Sequence, residues 1–250
     1  MDALNDRLFG FLMVLTRISA FFLLVPVFSW ETIPVRIRVA GAFLLAIFFS
    51  MITPVAMDSR HISAMQAVLL TANEAVYGLA LGLVIYVLFS TVKLSGFIIE
   101  QEMGLSMSEV LDPLTGEPGQ PLGSLLEMFF IILFLAANGH HLFLLTIQRS
   151  YEAFPPGHIP TIPVLLSGVI ESGSAMLSAG LRLSGPVLAG LLTVLVALAI
   201  MSRIVPEMDI FFISFPVRIG LGLLMVALFL SLINGFISEF AELINKLLPL

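Results

Sequence analysis

The sequence predicts an all-α, membrane-associated protein built from helical hairpins and broken helices. Three observations lead there. The 250 residues are 59% hydrophobic and 11% charged, with mean hydropathy +1.09, whereas a soluble domain carries about 25% charged residues. Apolar runs long enough for a membrane helix recur along the chain, at residues 8–28, 39–57, 64–92, 125–147, 186–201 and 210–233, with a weaker one at 162–183. Runs of about 20 residues cross a bilayer as helices, so hydropathy alone gives six or seven spans. Prolines and glycines then interrupt these runs.

Each element follows from its breakers. Pro26 ends or kinks the first helix. Thr32, followed by Ile33 and Pro34, reads as an N-cap with proline in the first turn, where a missing N–H costs little. Pro54 closes the second run. The stretch from Phe154 through Pro155, Pro156, Gly157 and His158 to Pro160 is a turn that cannot be helical. Pro206 and Pro216 shorten or kink the last third. At the C-terminus Phe236, Ile237, Phe240, Leu243, Ile244, Leu247 and Leu248 recur at helical spacing opposite Glu239, Glu242 and Lys246. They form an amphipathic helix that either closes the chain's own core or docks a partner.

One stretch fits no helix. Residues 104–123 hold three prolines (Pro113, Pro118, Pro121), four glycines, the acids Glu109, Asp112 and Glu117, and no base. Unstructured loops of this length inside compact domains are functional or disordered. Interspersed Met107, Leu111, Leu114 and Leu122 argue for a loop that packs inside something. At membrane depth, non-helical backbone is tolerated only within protein or along a water-filled path. A loop that plugs a channel is the specific form of that expectation.

Charges inside the apolar runs narrow the reading further. Arg17 sits within the first run, Asn73 and Glu74 within the third, and Asn138, Gly139, His140 and His141 late in the fourth. A charge at a helix centre costs roughly 2.5–3.5 kcal/mol on insertion scales, so these groups are expected to face protein rather than lipid. Arg36, Arg38, Arg60, Lys93, Arg149 and Arg203 fall in successive connections, so the positive-inside rule gives no orientation. The net charge of −6 disfavours nucleic acid as a partner. The absence of cysteine removes disulfides and thiolate metal sites. The N-terminus reads as a retained segment, without a small-residue cleavage pattern.

No constellation looks catalytic, and no metal or cofactor site is expected. Adjacent His140 and His141 point about 100° apart on a helix and share a metal poorly. Glu74, Glu100, Glu102 and Glu127 suit either a proton relay, the basis of the alternative reading as a proton-coupled secondary transporter, or paired structural charges. Gly78 and Gly82 form a G-x-x-x-G that arises easily by chance among 19 glycines. There is no nucleophile elbow, P-loop or dinucleotide fingerprint.

Four blocks, in order along nearly the whole chain, carry a resemblance. The first runs from Thr16, Arg17 and Ile18 through Pro26 to Pro34, Arg36 and Arg38. The second is Gly104, Leu105, Ser106, Met107, leading to Asp112 and Pro113. The third is Ala137, Asn138, Gly139, His140, His141, followed by Ser150 and Pro155. The fourth runs from Pro206 through Ser214, Phe215 and Pro216 to Arg218, with Ser214 where a glycine is usual. Together they resemble the FliR family of type III secretion export-gate proteins, in its flagellar branch. The resemblance implies a single domain over residues 1–250 with a loop insertion at about 104–123. It implies a non-enzymatic subunit that joins FliP and FliQ homologues in the helical core of the export channel, associates with an FlhB homologue, and passes unfolded export substrates. It places the complex in the bacterial cytoplasmic (inner) membrane within the flagellar basal body, with helical hairpins lifted towards the periplasmic side. It also implies a pore plug carried by Gly104, Leu105, Ser106, Met107, Leu111, Asp112, Pro113, Leu114 and Gly116. Structural or assembly roles fall to Arg17, Pro26, Asn138, Gly139, His140, Phe215, Pro216 and Arg218, with Arg17, Asn138 and Arg218 satisfying buried helix ends or pairing with partner acids.

Overall fold

The computed structural model describes residues 2–29, 33–53, 63–105, 120–157, 162–204 and 210–247, all helical apart from short turns. The helices are α1 (Asp2–Leu24), α2 (Pro26–Ser29), α3 (Val35–Ile52), α4 (Ala64–Met103), α5 (Pro121–Ala136), α6 (His140–Ala153), α7 (Ile162–Ile204) and α8 (Ile210–Leu247). Four described helices are long and apolar enough to cross a membrane, and a fifth span arises if α5 and α6 count as one broken pair. This is fewer than the six or seven that hydropathy suggests. Pro186, which marked the start of a separate run, lies inside the continuous 43-residue α7. Pro216 likewise stays inside the 38-residue α8. A proline removes one backbone hydrogen bond and kinks a helix without having to end it.

Helix starts and stops have local causes. Ser63 and Gln66 form a reciprocal capping box at the start of α4, with Gln66 N–H donating to Ser63 Oγ (3.3 Å) and Ser63 N–H donating to Gln66 Oε1 (2.9 Å). α5 begins with proline at its first position, where no N–H is needed. The start of α3 differs from expectation: its cap residue is Pro34, at φ −54° and ψ 136°, with no side-chain capping bond. Pro34 therefore stands just outside the helix rather than in its first turn, and Thr32 lies outside the described residues.

The chain packs as two compact units. The first comprises residues 1–88, 138–173 and 241–250. In it α1 supplies Met13, Val14, Ile18 and Phe21, α4 supplies Tyr77, Leu81 and Ile85, and α6 supplies Phe143, Ile147 and Tyr151, all buried. Gly78 and Gly82 face the α1 backbone; a Cβ on Gly82 would lie 3.0 Å from Phe21 O, and one on Gly78 would collide with Arg17 O. The G-x-x-x-G spacing is thus the contact that lets α4 approach α1. By contrast α3 buries only Ala42, Ala46 and Phe49, and exposes Val35, Ile37, Val39, Leu44, Phe48 and Met51.

The second unit comprises residues 89–137 and 174–240. Its centre is five phenylalanines, Phe89, Phe130, Phe134, Phe236 and Phe240, with ring centroids 4.9 to 6.2 Å apart. Edge-on and tilted aromatic pairs at this spacing add about 0.5–1.5 kcal/mol each beyond burial. Phe240 is fully buried in this cluster. Of the two expectations for the C-terminal helix, Phe240 therefore follows the one in which it closes the chain's own core.

Candidate functional site

In the first unit, Arg17 organises a buried polar knot. Its Nε donates to Glu74 Oε2 at 2.6 Å, and the two side chains are 1% and 0% exposed. Nη1 donates to Ser150 O (3.1 Å) and Ser150 Oγ (3.3 Å), and Nη2 donates to Phe154 O (3.0 Å). Those carbonyls belong to the C-terminal end of α6, where a cation complements the helix dipole and orphan acceptors need donors. The other oxygen of Glu74 accepts from Gly157 N–H at 3.0 Å, and Gly157 adopts φ +89°, a conformation that glycine reaches without a Cβ penalty. The rings of Tyr77 and Tyr151 each lie against the guanidinium, 4.8 and 4.5 Å from its carbon. Tyr151 Oη donates to Val14 O. A buried ion pair is tolerable only when its remaining donors and acceptors are filled, and here every nitrogen of the Arg17 guanidinium and both oxygens of Glu74 have a partner. The knot ties α1, α4, α6 and the turn after α6 together.

In the second unit, a different set fixes the two ends of the 104–123 stretch. Glu100, near the end of α4, is buried, and its Oε2 accepts from Leu122 N–H at the start of α5. A carboxylate there fills an orphan donor and meets the positive end of the α5 dipole. The backbones approach closely at the same level: a Cβ on Gly96 would lie 2.6 Å from Gly123 Cα, and one on Gly123 would lie 2.9 Å from Lys93 O. Gly104 turns the chain away from α4 at φ +79°, and its nearest neighbour is the ring of Phe215, 3.8 Å from where a Cβ would stand. Two turns on from Phe215, Gly222 of α8 faces Met103, whose Cγ would lie 2.6 Å from an added Cβ. The ends of the loop are therefore held by helix contacts that do not depend on the loop itself.

Of the residues singled out from the sequence, Gly104 and Phe215 are brought together here. Leu105 is described in a single turn after α4. Ser106, Met107, Leu111, Asp112, Pro113, Leu114 and Gly116 lie outside the described residues. Pro26 is buried and opens the four-residue α2. Asn138 is at φ +61° just past the end of α5, the left-handed position that asparagine tolerates better than other non-glycine residues. Gly139 caps α6, and His140 and His141 are exposed with ring centroids 4.3 Å apart. Pro216 is exposed on α8. Arg218 has a buried Nε without a hydrogen-bond acceptor among the described residues.

Three of the four acids considered for a proton relay have other occupations. Glu74 is bound to Arg17 and Gly157, Glu100 to Leu122, and Glu127 stands 4.0 Å from Lys93 Nζ. Sequence reasoning did not find the Arg17–Glu74 pair, although each is a lone charge in its own apolar run. Two opposite lone charges of that kind are the available signal, since each would be costly without the other. The tyrosine contacts with Arg17 and the Gly96–Gly123 approach leave no comparable trace.

Comparison with known proteins gives a consistent result. The family model for bacterial export proteins, family 1, matches residues 8–244. The chain is 31% identical over 241 residues to the flagellar biosynthetic protein FliR of Bacillus subtilis (strain 168), covering 93% of this chain and 90% of that protein. It is 27% identical to FliR of Escherichia coli (strain K12), covering 93% and 89%, and 26% identical to FliR of Aquifex aeolicus (strain VF5), covering 96% and 93%. Matched over nearly its whole length, the chain belongs to the FliR family of bacterial export proteins, membrane components with a role in flagellar protein export.

Proposed function

We propose that this chain is a channel-forming subunit of the flagellar export gate, assembled with FliP and FliQ homologues and contacted by an FlhB homologue, in the cytoplasmic membrane. Unfolded export substrates pass through the assembly, and the 104–123 stretch is the plug that closes the resting pore.

The observation that carries this reading is the apolar surface of α7. Within the second unit, exposed side chains run from Leu177 (55%) through Leu181, Leu192, Val196 and Ile200 to Ile204 (73%). At about 1.5 Å per residue they follow roughly 40 Å of helix, more than the about 30 Å of bilayer hydrocarbon. An assembly of like helices would cover the part of this surface that lipid does not. The plug reading rests on composition, with apolar residues to exclude water and breakers to fold the chain across a lumen, and on the Glu100 and Gly123 contacts that hold the ends of α4 and α5 together.

The test is export itself. A strain lacking this chain should secrete no hook or filament subunits, and the wild-type chain should restore secretion. Deleting residues 115–120 should leave assembly intact while raising passive ion conductance. Secretion that continues without the chain contradicts the export role. A shortened loop with a membrane as tight as wild type contradicts the plug.

A further inference from the structure

Where the second and third turns of α1 meet the last turn of α3, the first unit holds a pocket of about 500 Å³ whose lining includes Asp6, Arg7, Phe11, Ser50, Met51 and Thr53. The volume suits a small molecule or a headgroup. Both helices are long and apolar enough to cross a membrane, the span of α1 beginning at Asp6 and that of α3 ending at Ile52. Their shared end therefore stands where an apolar core gives way to a polar layer. Charges of both signs meet there, a cation on exposed Arg7 and an anion on half-buried Asp6. The last turn of a helix adds carbonyls without intrahelical donors and the negative end of the dipole, so the α3 side of the pocket favours a second cation. Ser50 Oγ donates to Ile47 O at 2.8 Å, which leaves its lone pairs to accept. From the pocket an open apolar track runs back along α3. Met51 is 80% exposed, Phe48 and Leu44 follow at spacings of three and four, and Gly41 faces open space. From Met51 to Gly41 is about 15 Å of helix, one leaflet of a roughly 30 Å hydrocarbon core.

We propose that this pocket binds the headgroup of a zwitterionic phospholipid with a primary ammonium, a phosphatidylethanolamine, whose acyl chain lies along Met51, Phe48 and Leu44. The phosphate meets Arg7, as a guanidinium and a phosphate pair well. The ammonium meets Asp6, Ser50 Oγ and the carbonyls that end α3. A purely anionic headgroup would use Arg7 but be repelled by Asp6 and by the α3 dipole. A trimethylated ammonium has no N–H to give to those acceptors. A headgroup free of its chains carries the same charges but forgoes the apolar track, so the bilayer is the source.

The site is built from this chain alone, and its test does not depend on which subunits accompany it. The full chain, with whatever subunits copurify, is placed in nanodiscs holding equal parts of phosphatidylethanolamine, phosphatidylglycerol and phosphatidylcholine. After release into mild detergent, native mass spectrometry counts the lipid retained per copy. Phosphatidylethanolamine is expected to exceed each of the others by about tenfold, as one charge-assisted hydrogen bond would give. Arg7→Gln is expected to lower its retention by a similar factor, and Asp6→Asn to erase the preference over phosphatidylglycerol. Arg203→Gln, which removes a cation from the last turn of α7, is expected to leave retention unchanged. Equal retention of the three lipids by the wild-type chain overturns the assignment, whatever the variants do. A preference that survives both Arg7→Gln and Asp6→Asn places the lipid elsewhere and also overturns it. Displacement of the lipid by millimolar glycerophosphoethanolamine would mean that the free headgroup suffices, and would overturn the bilayer lipid as the occupant.

Discussion

Arg17 Nε and Glu74 Oε2 meet at 2.6 Å with both side chains closed off from solvent, one contributed by α1 and the other by α4. Because the rest of the guanidinium is spent on the end of α6, the pair joins three helices that lie far apart in sequence. Removing one member of such a pair strands the other, and this costs more than the pair contributes.

Arg17→Met or Glu74→Leu alone is therefore expected to destabilise the protein by about 3–5 kcal/mol. The double change Arg17→Met with Glu74→Leu is expected to cost less than the worse single change. Denaturant unfolding of the four proteins, treated as a double-mutant cycle, measures the difference. Additive costs would contradict the coupling.

The two tyrosines that pack against Arg17 make opposite predictions. Tyr151 Oη donates to Val14 O at 3.1 Å, so Tyr151→Phe is expected to lose about 0.5–1.5 kcal/mol. Tyr77 Oη is buried with no partner among the described residues, so Tyr77→Phe is expected to be neutral or stabilising. Melting temperatures of the two variants, compared side by side, check the order.

Glycines separate in the same way. A methyl group at Gly123 would press on Lys93 O, whereas one at Gly41 meets nothing within 4 Å. Gly123→Ala is expected to cost about 1–3 kcal/mol by overpacking, and Gly41→Ala to gain up to about 1 kcal/mol from helix propensity. Equal effects at the two sites, read by thermal unfolding, would contradict the close approach of α4 and α5.

Much of this was legible from the residues. Apolar runs, prolines and glycines marked an all-α membrane protein, but the loop expected at 104–123 was drawn too long, because Pro121, Leu122 and Gly123 already form the first turn of α5. Helix continuity was less legible, because hydropathy treats Pro186 and Pro216 as boundaries, whereas α7 and α8 run through them. Tertiary pairing was the least legible. Glu74 reads equally as a proton carrier or a structural acid until Arg17 is placed beside it. Glu100 reads likewise until the N-terminus of α5 is seen against it. The glycines at 78 and 82 look like chance in a chain with 19 of them, and only the α1 backbone at their surface gives the spacing a purpose.

The most direct measurement is the state of the purified protein with and without its proposed partners. Expressed alone and extracted in mild detergent, the chain should be poorly recovered and polydisperse, because long apolar faces such as those of α3 and α7 are left uncovered. Expressed with FliP and FliQ homologues, it should appear in a single monodisperse species that contains all three, as judged by light scattering and native mass spectrometry. A long-lived, well-behaved monomer made alone, which recovers neither homologue when they are present, would contradict the account.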